Sequence, residues 1–202
     1  MIIFFSLEIM VSRRESKQRL IRHRNAMTRY HKERQRNILA IPGPHEFVLV
    51  LDNLKAGFNA PKLFRSALAF GASAVHMINI EPFDPAPAKG AFRKVPAHFH
   101  QDFNSCYQQL IKEGYSLFRL ETNADVQLVD CSLPVKSAFI LGNEGLGHSF
   151  EQTEYPDVLS LGIPQFGQME SLNVSIAGSI VMYEYLRQHP LVTESSKQQK
   201  EA

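Results

Sequence analysis

An open α/β fold built on a parallel sheet is the architecture predicted by the amino-acid sequence, and three observations carry the prediction. After Pro42-Gly43-Pro44 the chain holds five short apolar runs that do not alternate with polar residues, the pattern of strands buried on both faces. Stretches with helical spacing of apolar residues lie between those runs, and strand–helix alternation at such intervals favours parallel pairing. The 202 residues, 44% hydrophobic and 21% charged, supply one core and exclude a repeat array or a disordered chain. In folds of this class a ligand sits in the loops beyond the carboxyl ends of the strands.

Residues 1–11 read as an apolar leader whose status stays open. The run is too short to span a bilayer, has no basic flank and contains Glu8, so no membrane partner is expected, and Met10 is an alternative start. Residues 12–41 read as a basic helical segment. Between positions 11 and 40 lie Arg13, Arg14, Lys17, Arg19, Arg22, Arg24, Arg29, Lys32, Arg34 and Arg36, against only Glu15 and Glu33. That segment carries +8 beside −6 for the rest, a segregation hidden by the overall +2 and suited to a polyanion, most often nucleic acid. Ser12-Arg13-Arg14-Glu15 fits a capping box and predicts a helix start at Ser12. Leu20, Met27 and Tyr30 give only a thin apolar stripe, so the helix is expected to fray or to dock on a partner. Taken alone, a solvated charged helix explains the segment as well as RNA contact through Arg13, Arg14, Lys17, Arg19 and Arg22.

The body runs from 45 to 190, with strands expected at 47–51, 74–80, 116–120, 137–141 and 158–163 and helices at 60–70, 105–113 and 172–188. The loop 81–96 is long and proline-rich, and its Lys89, Arg93 and Lys94 suit a substrate-covering role. Residues 191–202 form a polar tail. Cys106 and Cys131 have no close cysteine or histidine partner in sequence, so neither a zinc nor a redox motif is evident and a reducing, cytoplasmic setting is the default.

Three strand-end loops carry the polar residues of interest. In the first, Asn59 is placed to cap the helix at 60–70 and Pro61 is tolerated in its first turn. Arg65 falls on the polar side of that helix, opposite Leu63, Ala67 and Phe70, where an arginine is ordinary. The second, Leu141-Gly142-Asn143-Glu144-Gly145-Leu146-Gly147, follows a buried strand and permits close backbone approach to a ligand beside the acid Glu144. Its spacing is not that of a dinucleotide fingerprint, and a tight turn with no ligand is the alternative. The third runs from Ile163-Pro164 to Ser171-Leu172-Asn173-Val174-Ser175 and enters a helix apolar on more than one face, which predicts burial against a second subunit. Ser171 and Asn173 are either caps of that helix or ligand donors.

Together the three segments resemble the SpoU-type, TrmH-like branch of the SPOUT RNA methyltransferases. Asn59, Arg65 and Ala69-Phe70-Gly71 match the first family motif, Leu141 to Gly145 the second, and Ile163-Pro164 through Ser175 the third, over a span from about residue 47 to 186. The resemblance implies an α/β methyltransferase domain with a C-terminal trefoil knot, a homodimer through the C-terminal helix, and S-adenosylmethionine as cofactor. It further implies methyl transfer to a ribose 2′-hydroxyl of tRNA or rRNA. By position Gly142, Ile163 and Leu172 would contact the cofactor, while Asn59, Arg65, Glu144, Ser171 and Asn173 would form the catalytic cluster. Pro61 departs from a glycine usual in the first motif, and Lys89 from a small hydroxyl residue in the long loop. No metal is called for, and no residue cluster has metal-site spacing in the sequence. Arg65 is the family's candidate base. A guanidinium with a pKa above about 12 acts better as a clamp on phosphate and on a developing alkoxide, and both roles stay open. Two competing classes are an inactive RNA-binding protein that keeps the fold, and an S-adenosylmethionine enzyme acting on a small molecule or protein.

Overall fold

The computed structural model describes residues 2–55 and 57–191, with side chains from residue 16 onward except in that gap and after residue 191. Helix α1 (Ile2–Asn37) precedes β1 (Val48–Asp52), α2 (Asn59–Ala69), β2 (Ala74–Ile78) and β3 (Ala97–His100). Then follow α3 (Phe103–Lys112), β4 (Ser116–Leu120), β5 (Val126–Gln127), β6 (Ser137–Leu141), β7 (Val158–Gly162) and α4 (Val174–Gln188). The strands form one sheet in the order β3-β2-β1-β6-β4-β7-β5, and every pairing is parallel. The five apolar runs are strands, as expected, with β1 shifted by one residue so that Asp52 ends it, and with β2 and β7 stopping at Ile78 and Gly162, short of the expected 80 and 163. The sequence pattern misses β3 and β5: Ala97-His98-Phe99-His100 is half histidine, and β5 has two residues.

Burial on both sides of the sheet explains the unbroken apolar runs of β1, β2 and β6, whereas β7 leaves Leu159 exposed. Leu49, Leu51, Val75, Met77, Phe139 and Leu141 belong to a core packed with Leu63, Phe64 and Ala67 of α2 and Val181, Met182 and Tyr185 of α4. Val48, Val50, Ala138 and Ile140 point to the other face, covered by Phe103, Cys106 and Leu110 of α3. Tightness on the first face is set by Gly178, where a Cβ would stand 2.5 Å from Leu63 Cδ2.

The predicted helix start at Ser12 is not observed. Backbone helix runs continuously from Ile2, so Ser12 lies inside α1 rather than at its start. The expectation of an unpacked helix also needs correction at its carboxyl half. Tyr30 is 1% exposed, stacked on Phe92 with ring centres 5.4 Å apart and edge-on to Phe83 at the same separation. Buried Asn37 donates to the carbonyls of Phe92 and Val95 and accepts from the Ala97 amide at 3.0 Å. Arg29 grips Asp84 through Nε and Nη2 at 3.1 and 2.7 Å. One side of α1 is therefore fixed to the loop between β2 and β3, which itself packs on α2 as two short 3-10 turns, Ala86–Ala88 and Ala91–Arg93. Among the described residues no helix is long and apolar enough to cross a membrane.

Candidate functional site

At the carboxyl ends of β4, β6 and β7 the chain leaves the sheet in three loops that enclose a cavity of about 470 Å3. Leu120, Glu121 and Thr122 line one side, the loop from Gly142 to His148 another, and Ile163, Ser171, Leu172 and Asn173 the third. Of the eight residues expected for catalysis and cofactor, Gly142, Ile163 and Leu172 line this cavity together with Glu144, Ser171 and Asn173.

The glycine loop closes for a local reason. Asn143 exchanges backbone hydrogen bonds with Gly147 at 2.7 and 2.9 Å, and a Cβ on Gly142 would come within 2.9 Å of the Gly147 carbonyl. Asn143 Oδ1 accepts from the Gly145 and Leu146 amides, and its Nδ2 donates to the Asn53 carbonyl at 2.7 Å. This side chain, almost fully buried, shapes the loop, and motif reasoning does not single it out. Its only sequence signal is a polar residue next to a glycine, two positions after a buried strand. Asp52, which is 0% exposed, accepts from the Ser149 amide and hydroxyl at 2.7 and 2.6 Å and pins the loop's far end to β1. His148 lies beside it, with Nδ1 3.7 Å from Asp52 and Nε2 3.2 Å from the Leu120 carbonyl.

Asn59 is not the N-cap expected of it. Phe58 holds that position without a side-chain bond, and Asn59 is the first residue of α2. Its amide donates instead to Glu144 Oε1, and its Oδ1 accepts from Asn173 Nδ2 at 3.3 Å. Asn173 is the N-cap of α4, its Oδ1 accepting from the Ser175 amide at 3.0 Å and hydroxyl at 2.6 Å. Asn59, Glu144 and Asn173, drawn from the start of α2, the glycine loop and the N-cap of α4, are thus one hydrogen-bonded group at the cavity mouth. Ser171 lines the cavity and is exposed; it is not a cap.

Arg65 stands apart. It is exposed on α2, outside the cavity lining, and among the described residues no carboxylate lies within ion-pair distance of it. Lys17, Arg19, Arg22, Lys89 and Arg93 are exposed, whereas the side chains of Arg13 and Arg14 lie outside the described residues, as do residues 192–202 of the tail. Arg93 faces α1: with Arg36 it opposes the burial that pushes the Glu33 carboxyl above its ordinary pKa.

The SpoU rRNA Methylase family model matches residues 46–183. The 23S rRNA (guanosine-2'-O-)-methyltransferase RlmB of Xylella fastidiosa (strain 9a5c) is 30% identical over 183 residues, covering 85% of this chain and 73% of that protein. RlmB of Neisseria meningitidis serogroup B is 31% identical over 156 residues, 73% of this chain and 60% of that protein. Among solved structures, the AdoMet-bound rRNA methyltransferase from Sinorhizobium meliloti superposes with a TM-score of 0.65 at 21% identity, over 78% of this chain and 61% of that one. The A. aeolicus TrmH/SpoU tRNA modifying enzyme gives 0.65 at 20% identity, over 84% of this chain and 92% of that one. These structural likenesses are likenesses of fold.

Proposed function

The chain belongs to the SpoU rRNA methylase family, and from that premise we propose that it transfers a methyl group from S-adenosylmethionine to a ribose 2′-hydroxyl of tRNA or rRNA. The observation that carries the reading is the meeting of Asn59, Glu144 and Asn173 at the mouth of a cavity that Gly142, Ile163 and Leu172 line.

The cavity suits the cofactor chemically. Leu141, Leu161, Ile163 and Leu172 offer an apolar slot for a purine, and Glu121, Thr122 and Gln165 offer polar partners for a ribose and an amino acid. When bound there, S-adenosylmethionine supplies a methyl group activated by its sulfonium. Displacement forms the oxygen–methyl bond as the methyl–sulfur bond breaks; it needs alignment and loss of the hydroxyl proton to solvent water, and calls for no metal. Asn59 and Asn173, locked to each other and to Glu144, orient the ribose, and Ser171 adds a hydroxyl on the same rim. Arg65, exposed and unpaired within the described residues, holds the RNA phosphate and steadies the developing alkoxide; its guanidinium is a poor proton acceptor.

The finer parts of the reading belong to the same proposal. A C-terminal trefoil knot accords with the way residues 163–173 return beside the 142–148 loop before α4 packs on α2, where Ser66 and Ser179 hydroxyls are 3.0 Å apart. A homodimer through α4 accounts for the exposure of Ile176 (51%) and Tyr183 (63%) on that helix. The exposed cations of α1, joined to those of the 81–96 loop, form the arm that holds RNA. A reducing cytoplasm suits the free thiols of Cys106 and Cys131.

Calorimetry with S-adenosylmethionine and its demethylated product tests the cofactor assignment. Binding of both is expected, unchanged by Arg65→Ala; folded protein that binds neither overturns the reading.

A further inference from the structure

The face of the sheet away from the α2 and α4 layer holds a second group of reactive side chains. Parallel register between β2 and β3 sets His76 against His98 and Ile78 against His100, so all three histidines project to the side covered by α3. His76 Nδ1 lies 3.0 Å from His100 Nε2, and the two rings are stacked, 10° from parallel. Above them α3 contributes Cys106. Each of His76, His100 and Cys106 presents one ligand atom, and these atoms lie within 4.8 Å of one another. Cys106 is 0% and His76 1% exposed, while His100 is half-buried and opens the group toward solvent.

We propose that His76, His100 and Cys106 bind a thiophilic divalent transition metal, zinc in a reducing cell, as a structural staple separate from the methyl-transfer cavity. Two imidazoles and a thiolate are the donor set that zinc and its borderline neighbours select, and that magnesium or calcium would refuse. In a tetrahedral site with metal–nitrogen bonds of about 2.0–2.1 Å and a metal–sulfur bond of about 2.3 Å, donor atoms stand roughly 3.3–3.7 Å apart. To reach that spacing the histidine nitrogens, now 3.0 Å apart, separate by a few tenths of an ångström as the metal replaces their hydrogen bond, and any donor pair near the 4.8 Å limit draws in by about an ångström.

Binding is balanced by release of the Cys106 thiol proton, and by movement of any proton on a coordinating imidazole nitrogen to the other ring nitrogen or to water. Water, or His98 after a side-chain rotation, completes the fourth position; in its present rotamer His98 stacks on His76 at 4.7 Å. The consequence is mechanical: β3 is an edge strand, and a metal bridging β2, β3 and α3 would fix that edge without touching the catalytic loops. The sequence hides the site because its ligands come from three elements, and only His98-Phe99-His100 has a recognisable spacing.

The test titrates tag-free, chelator-treated full chain with Co2+ and then with Zn2+. We expect one metal per chain, a thiolate-to-cobalt charge-transfer band in the near ultraviolet, ligand-field bands of tetrahedral intensity, and bleaching of both by Zn2+. Cys106→Ala should lose the charge-transfer band, Cys131→Ser should keep it, and Zn2+ should raise the melting temperature of the parent but not of His100→Gln. If Cys106→Ala does not fold, the His100→Gln and Cys131→Ser arms still decide. No thiolate band in the parent, a band that vanishes in Cys131→Ser, or a zinc-induced rise that persists in His100→Gln overturns the proposal.

Discussion

Asn173 donates from Nδ2 to Asn59 Oδ1 across 3.3 Å and 114 residues of sequence, joining the N-cap of α4 to the first turn of α2. Because Asn59 also holds Glu144, one amide couples all three loops that bear the family motifs. Neither asparagine explains its position by capping alone, since Asn59 caps nothing and Asn173 keeps a second partner beyond its cap.

Breaking this coupling should damage turnover more than cofactor binding. Asn59→Ala is expected to lower single-turnover methylation of RNA by roughly 100-fold, the size of effect that misplacing a reacting group by about an ångström produces. Calorimetry on the same protein should give a cofactor affinity within a few-fold of the parent. A large loss of cofactor affinity would assign the asparagine to the cofactor cavity instead.

Arg65→Ala should abolish detectable turnover, and Arg65→Lys should restore little of it, because a point charge does not reproduce the planar fork of a guanidinium on phosphate. Michaelis parameters for both variants check this. Full rescue by lysine would reduce the role of Arg65 to charge alone.

Charge placed on the outer side of α4 should split a dimer. Ile176→Glu and Tyr183→Glu are expected to sediment as monomers with lower activity, while the parent sediments as a dimer; a parent that is an active monomer contradicts the proposed assembly.

Docking of α1 rests on a buried amide as well as on Tyr30 and Arg29. Asn37→Ala leaves the carbonyls of Phe92 and Val95 and the Ala97 amide without their partner, which should cost roughly 3 kcal/mol of stability in denaturant titrations. Removing Lys17, Arg19 and Arg22 together should leave stability nearly unchanged. It should also flatten the salt dependence of RNA affinity by about 0.7–0.9 in logarithmic slope for each phosphate that these cations no longer neutralise.

Acid should loosen the α4 end of the core. Burial, helped by His189, lowers the pKa of His45, whose ring packs edge-on against Tyr185. The unfolded imidazole takes up a proton near about pH 6.5 while the folded one resists until lower pH. Its contribution to stability is therefore complete above that value and is lost as pH falls through the folded pKa. Melting temperatures measured from about pH 7.5 down to about pH 5.5 should fall in the parent, and fall less steeply in His45→Asn.

The strands that matter most for the site are legible in the sequence, because β1, β2, β4, β6 and β7 are short, mostly apolar runs and β6 and β7 end in the motif loops. The edge strands are not, since β3 is half histidine with none of its residues fully buried, and β5 has no length to show a period. Residues of the motif loops stand out by type and spacing. Asn143, Asp52 and His148 escape because their work is to shape a loop through backbone contacts, which no linear pattern records. The start of α1 is misplaced for a similar reason: a capping box predicts an end only where the chain before it is not helical.

Ribose methylation of RNA is read by label transfer and mass spectrometry of nucleosides. The full chain is incubated with methyl-labelled S-adenosylmethionine and tRNA or rRNA transcripts, and the RNA is digested to nucleosides. The prediction is labelled 2′-O-methyl nucleoside from one class of transcript, lost in Arg65→Ala although that variant still binds the cofactor. Label on a base, or no label in RNA when the parent binds the cofactor, would contradict it.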